Sequence, residues 1–180
     1  MIGKDFKESY GNRFYKFTLS DQIVIGFNKT KRPFMFTDIE RLLYHMPFGS
    51  NIAIIEIPDD AKVITDLSGF KTDKMIVTEF LQKEEEIIEL YKRSREKGCQ
   101  WTNYSSVFLA MGGHLKLLIW AINDGCPWNE LTCAFAAKTG KLEVIKWLYI
   151  NGCPYDKRTL QFASEHGQTH VLYWMENNML

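Results

Sequence analysis

A repeat constrains this chain more than any other feature. From residue 98 to residue 178 the sequence copies itself three times, with a period of 27 residues and no gap. The copies read GCQWTNYSSVFLAMGGHLKLLIWAIND, GCPWNELTCAFAAKTGKLEVIKWLYIN and GCPYDKRTLQFASEHGQTHVLYWMENN. Gly98, Gly125 and Gly152 open them, and Cys99, Cys126 and Cys153 follow. Next come Trp101, Trp128 and Tyr155, then Ser105, Thr132 and Thr159, then Phe108, Phe135 and Phe162. Gly113, Gly140 and Gly167 mark the midpoint, and Trp120, Trp147 and Trp174 lie near the end. A fixed period of this size marks stacked units that bury their apolar faces only against their neighbours.

The middle copy shows how one unit is built. Asn129 is a candidate N-cap for a helix over 130–138, and Gly140 offers the left-handed residue that ends a helix. A second helix over 142–150 carries Val144, Ile145, Trp147 and Leu148, and the Trp column reads as core. Asn151-Gly152 is a turn, and Pro154 starts the next unit extended. Ala134, Ala136 and Ala137 allow a neighbouring backbone to approach closely. Helices this short are marginal alone in water, where about 12–15 residues are needed, so stacking must supply the missing burial.

The first half has a different texture. Residues 1–12 are polar and aperiodic and read as loose. Strands are expected over 14–18, 34–36, 51–57, 62–64 and 74–80 from their aromatic and β-branched content. Thr18 with Asp21, and Thr37 with Glu40, resemble capping boxes, the first opening a short helix over about 20–26 and the second a helix that Pro47 and Gly49 stop. Residues 29–33 read as a basic loop, and 67–72 as a second loop. Residues 81–97 form one amphipathic helix whose Glu84-Glu85-Glu86 start and Lys92, Arg93, Arg95 and Lys97 end suit the helix dipole. The expected class is α+β: a small α+β domain over 1–80, a linking and capping helix over 81–97, and an all-α helical-repeat stack over 98–180.

Lys+Arg and Asp+Glu are both 22, so the chain has no basic excess with which to bind nucleic acid through phosphates. No apolar run reaches the ~20 residues of a membrane helix, and no secretory signal opens the chain, so an intracellular protein of cytoplasm or nucleus is expected. Equivalent cysteines in stacked layers would lie about 8–10 Å apart, beyond the ~7 Å that a disulfide spans. No CxxC or CxxH pair suggests a metal, so Cys99, Cys126, Cys133 and Cys153 read as small buried thiols.

The run Thr132-Cys133-Ala134-Phe135-Ala136-Ala137-Lys138-Thr139-Gly140-Lys141-Leu142-Glu143-Val144-Ile145-Lys146-Trp147-Leu148 resembles the helical core of an ankyrin repeat, with the β-hairpin finger trimmed. The Asn-Gly-Cys-Pro junction and the Lys-Trp-Leu ending resemble the short ankyrin-like repeats of amoeba-infecting giant DNA viruses. The first half resembles the segment that precedes such repeats, at Phe14-Tyr15-Lys16, Phe36-Thr37, residues 52–58 and Lys74-Met75-Ile76-Val77. This resemblance implies a virus-encoded solenoid that binds host or viral proteins.

On that reading the residues that vary between copies carry the function. Tyr104, Leu131 and Arg158 occupy one such position and are the candidate partner contacts, because Tyr and Arg anchor interfaces well. Met111-Gly112, Lys138-Thr139 and Glu165-His166 vary as well. A competing reading makes the first half similar to an ADP-ribosyltransferase acting with NAD. Such enzymes use His or Arg on the first strand, Tyr or a Ser-Thr-Ser run next, and a later Glu. Here Lys16, then Phe34 and Phe36, then Glu79 stand in those places, and only Glu79 fits. A third reading makes the first half a homodimerisation domain. No catalytic set, cofactor or metal site is expected. His45, His114, His166 and His170 hold unrelated positions and read as surface polar groups.

Overall fold

The computed structural model describes residues 1–11, 13–18, 25–38, 51–66, 69–81 and 83–178. It forms an antiparallel sheet followed by helices, in two compact units, Met1–Gln100 and Trp101–Leu180. The amphipathic helix expected as a linker thus belongs to the first unit. Among the described residues, no helix is long and apolar enough to cross a membrane.

The first unit opens with α1 (Gly3–Tyr10), where a loose end was expected. The hydrophobic anchor is Phe6, fully buried with its ring 5.1 Å from Phe14, 5.7 Å from Phe36 and 5.0 Å from Phe70. One apolar side chain per helical turn was too sparse a signal for the helix to be read from its local pattern. Gly3 lies so close to the Pro58 carbonyl that a Cβ would come within 1.9 Å of its oxygen, which suits only glycine.

Five strands follow among the described residues: β1 (Phe14–Thr18), β2 (Gly26–Phe36), β3 (Asn51–Glu56), β4 (Val63–Asp66) and β5 (Gly69–Leu81). They run in the order β1-β3-β5-β2, with β4 also paired to β5, all antiparallel. Three expectations change here. The basic loop at 29–33 lies inside β2, at a register shift between Lys29 and Phe34 that leaves Pro33 outside the ladder. Residues 69–72 of the second expected loop begin β5, because they pair with both β2 and β4. Leu81 ends β5 and does not start the helix. The helix expected after Thr37 and the short one near 20–26 lie outside the described residues, except that Gly26 opens β2.

Strand alternation gives the sheet two faces. The row Phe14–Ile55–Val77 belongs to the face that packs with Phe6, Phe36, Phe70 and Met75 into the main core. The next row, Tyr15–Ile54–Glu79, belongs to the opposite face. A register shift after Ile54 sets this row, and Thr78 fills the extra place by donating its hydroxyl to the Ile54 carbonyl at 3.1 Å. Helix α2 (Glu84–Glu96) packs by Ile87, Leu90 and Tyr91 and contacts β5.

The second unit holds α3 (Ser105–Gly112), α4 (Leu115–Asn123), α5 (Glu130–Lys138), α6 (Leu142–Ile150), α7 (Lys157–Glu165) and α8 (Thr169–Asn178). Both helices of the middle copy match their expected bounds. The turn inside each pair uses Gly113, Gly140 or Gly167 with φ of 81°, 71° or 66°, a conformation that side chains disfavour. Helix α3 lies along α5, and α5 along α7, without comparable backbone contact between α4 and α6 or between α6 and α8. Ala110, Ala134, Ala136, Ala137 and Ala163 are fully buried, and their small side chains permit the close approach of the first helices.

The Trp column is not core. Trp120, Trp147 and Trp174 are half-buried, and Leu117, Leu118, Val144, Ile145, Leu148, Val171 and Met175 fill the interior. The indoles sit in an outer aromatic layer: Trp101 on Trp120 at 5.5 Å, Trp128 on Trp147 at 5.9 Å, and Tyr149 on Trp174 at 5.8 Å. An indole is large and carries an N–H that needs a partner, so this rim position suits it. Trp101 satisfies its own by donating to Asp124 at 2.8 Å.

Candidate functional site

The varying residues gather on α3, α5 and α7. Local chemistry fixes where each of these helices begins. Asn129 accepts from the Leu131 N–H at 3.0 Å, while Thr132 accepts from the Asn129 N–H at 3.2 Å, closing a capping box. Asp156 accepts from the Arg158 N–H at 2.9 Å. In α3 the corresponding bond comes from the Thr102 N–H to the Ser105 hydroxyl at 3.0 Å. The starts of α5 and α7 coincide within the repeat, whereas α3 begins two positions later with Tyr104 as its helical-conformation N-cap residue.

In each helix the varying position, the invariant Phe and a second varying position stand at i, i+4 and i+7, which places them on one helical face. The triplets are Tyr104, Phe108 and Met111; Leu131, Phe135 and Lys138; and Arg158, Phe162 and Glu165. The opposite, buried side holds Ser105, Ser106, Thr132, Cys133 and Thr159. A hydrogen bond of 3.0 Å between the Ser106 and Thr132 hydroxyls joins α3 to α5 there. At the far ends, Thr139 donates to the Met111 carbonyl at 2.9 Å and Gln168 to the Lys138 carbonyl at 3.4 Å.

The exposed face changes character along the helices. The α3 triplet is apolar, with Tyr104 57% exposed and its ring 6.4 Å from Phe108. The α5 triplet mixes apolar groups with one cation. The Lys138 ammonium lies 5.4 Å from the Phe135 ring and 5.9 Å from the Phe162 ring, in cation–π range of both. These two rings meet edge to face at 5.7 Å. The α7 triplet is charged. Arg158 is tied to Asp156 by an ion pair of 2.6 Å, which holds the Asp156 carboxyl below the usual carboxylate range.

Of the three candidate contacts, Tyr104 is exposed, whereas Leu131 and Arg158 are half-buried. All three hold the same repeat position: Leu131 and Arg158 are second residues of α5 and α7, and Tyr104 is the N-cap residue of α3. The half-buried Phe108, Phe135 and Phe162 belong to the same face, and Met111 and Lys138 complete it. The i, i+4, i+7 spacing is the sequence signal that places the invariant Phe column beside the variable residues.

The other candidates fall elsewhere. Lys16 lies on the main-core side of the sheet, donates to the Met35 carbonyl at 3.0 Å and sits 5.8 Å from the Phe34 ring. Glu79 lies on the opposite face, in a cleft with Arg13, Tyr15 and Arg93, so the sheet separates the two polar residues of the transferase-like reading. His166 and His170 are exposed but not idle, since their rings meet the Phe162 and Gly140 carbonyls at 3.0 Å each. His45 lies outside the described residues. All four cysteines are free and buried, as expected, and contact with Cys133 together with burial pushes the Cys153 thiol up. Among the described residues no cluster of three or more potential ligands could hold a metal ion. No protein-family model, curated protein or solved structure matches the chain.

Proposed function

We propose that this protein is a non-enzymatic interaction module whose second unit is a stack of short ankyrin-like repeats, and that it binds a protein partner across the exposed face of α3, α5 and α7. One observation carries the reading. The repeated residues are buried, turn-forming or paired with other rings, whereas two positions that change between copies, 104/131/158 and 111/138/165, share a single face with the half-buried Phe column. A surface that keeps its scaffold constant while its side chains vary is the arrangement of a solenoid recognition face. Its apolar end at Tyr104, Phe108 and Met111 supplies anchor area, and its charged end at Arg158 and Glu165 supplies register. The resemblance to giant-virus repeats makes host or viral proteins the partner class.

The test is affinity capture from an amoebal host lysate with the full chain and with a Tyr104→Ala, Met111→Ala double variant. Loss of a captured protein at unchanged helicity supports the reading. Capture of the same proteins by both forms sinks it. Light scattering on the same samples separates a partner-binding monomer from a homodimer.

A further inference from the structure

The sheet unit contains a second polar feature that the interaction face does not use. A cleft of about 260 Å³ lies between the Tyr15–Ile54–Glu79 row and α2, bordered by Arg13 and Arg93. Tyr15, only 2% exposed, is among its lining residues, and its hydroxyl makes no hydrogen bond among the described residues. A phenol that lines an opening can donate to a ligand atom placed there. Burial pushes the Tyr15 hydroxyl up and Arg13 and Arg93 pull it back, so at neutral pH it is a neutral donor flanked by two cations.

The charges around it are unsatisfied in a particular way. Glu86 and Glu89 are answered on their own helix by Lys83 at 3.3 Å and Lys92 at 3.8 Å. Arg13, Arg93 and Glu79 line the same small cleft, yet among the described residues none of them forms an ion pair. The cleft therefore offers both cationic and anionic groups to a ligand. The local irregularity in the ladder at Thr78 sets the register that places Glu79 in this row, and such bulges re-aim side chains beside functional sites.

We propose that this cleft binds a compact zwitterion: an oxyanion of the ligand accepts from the Tyr15 hydroxyl and the Arg13 and Arg93 guanidiniums, while its ammonium group donates to the Glu79 carboxylate. The volume lies below the ~300–1,000 Å³ typical of pockets for drug-sized ligands, so the ligand has few atoms. Two chemistries share this pattern, an amino acid with a carboxylate and an amino alcohol phosphate. This inference stands independently of the interaction face.

Calorimetric titration of the full chain tests it, with L-alanine and O-phosphoethanolamine as probes and acetate, inorganic phosphate and methylammonium as single-charge controls. One zwitterion is expected to bind at least about tenfold more tightly than every control, and the one that does so identifies the anionic group. Glu79→Gln and Arg93→Gln alter exposed side chains and are each expected to weaken that binding about tenfold or more. Tyr15→Phe removes only the hydroxyl and is expected to weaken it at an unchanged thermal midpoint. The proposal is overturned if neither zwitterion binds, if a control binds as tightly, or if the three substitutions leave affinity unchanged.

Discussion

The two units are held together by opposite kinds of contact. The sheet core joins residues far apart in the chain: Phe6 of α1 meets Phe14 of β1, Phe36 of β2 and Phe70 of β5. The helical unit joins residues within a pair or to the equivalent or adjacent place one copy away, as Phe135 meets Phe162 and Ser106 meets Thr132. The first kind of core forms all at once, since no part of it is satisfied until distant segments meet. The second is a sum of neighbour terms that can be lost piece by piece. Phe6→Ala provides the largest test of this difference, with an expected cost of about 3–5 kcal/mol. Hydrogen exchange should show protection lost together in β1, β3 and β5 while α5 and α6 keep theirs. Equal loss in α5 would end the distinction.

The same difference explains what could be read from the amino acids. In the helical unit every inference was checked three times, so Asn129, Gly140 and both helices of the middle copy came out where the residues placed them. In the sheet unit each residue had one context. Phe6 and Tyr10 gave too sparse a local sign that α1 exists, because the other ring partners of Phe6 lie 8 to 64 positions along the chain. Residues 29–33 look like loop chemistry, and only the pairing of Lys29 and Phe34 with β5 on either side makes the segment strand. The proposed interaction face was half legible: Tyr104, Leu131 and Arg158 were visible by their variation, but the Phe column was hidden by its constancy. The cleft was illegible, since cross-strand register brings Tyr15 and Glu79 into one row and no local pattern records it.

Within the helical unit, one buried position sharpens the idea of separate neighbour terms. Thr132 bonds both Ser106 and the Asn129 N–H, whereas the equivalent Thr159 hydroxyl is buried without a partner. Thr132→Val should cost about 1–3 kcal/mol, because it strands the Ser106 hydroxyl. Thr159→Val should be neutral or stabilising, because it removes an unanswered polar group at constant shape. Urea titration of the two variants measures the contrast; equal costs would mean that the third copy does not differ from the second.

Helix starts give a smaller effect of opposite sign in the two units. Asn129→Ala removes a working cap from α5 and should cost about 1 kcal/mol. Lys83 holds the N-cap place of α2 in an extended conformation without a side-chain cap bond. Lys83→Asp should stabilise by about 0.5–1 kcal/mol, since an acidic cap suits the helix dipole and the exposed Lys83–Glu86 pair is worth little. Thermal midpoints moving in opposite directions would verify both assignments.

The smallest expected effect concerns Asp156 and Arg158. Arg158 holds the Asp156 carboxyl below its ordinary value, so the folded chain binds this proton less readily than the unfolded chain does. The stabilisation from this pair is therefore complete above about pH 4, where an unfolded Asp is ionised, and fades as pH falls through the lower folded value. Both groups meet solvent, so salt should screen the effect. Arg158→Gln should lower the thermal midpoint slightly at neutral pH, and the gap from the parent chain should close in acid. The pair also bears on binding. Asp156 occupies the guanidinium that the interaction face would use, so a partner carboxylate must displace it. Asp156→Asn keeps a helix cap while loosening that hold, and should strengthen capture of an acidic partner as it weakens the helical unit. Weaker capture would instead make the ion pair part of the recognition surface, with Arg158 useful only in the posture that Asp156 imposes.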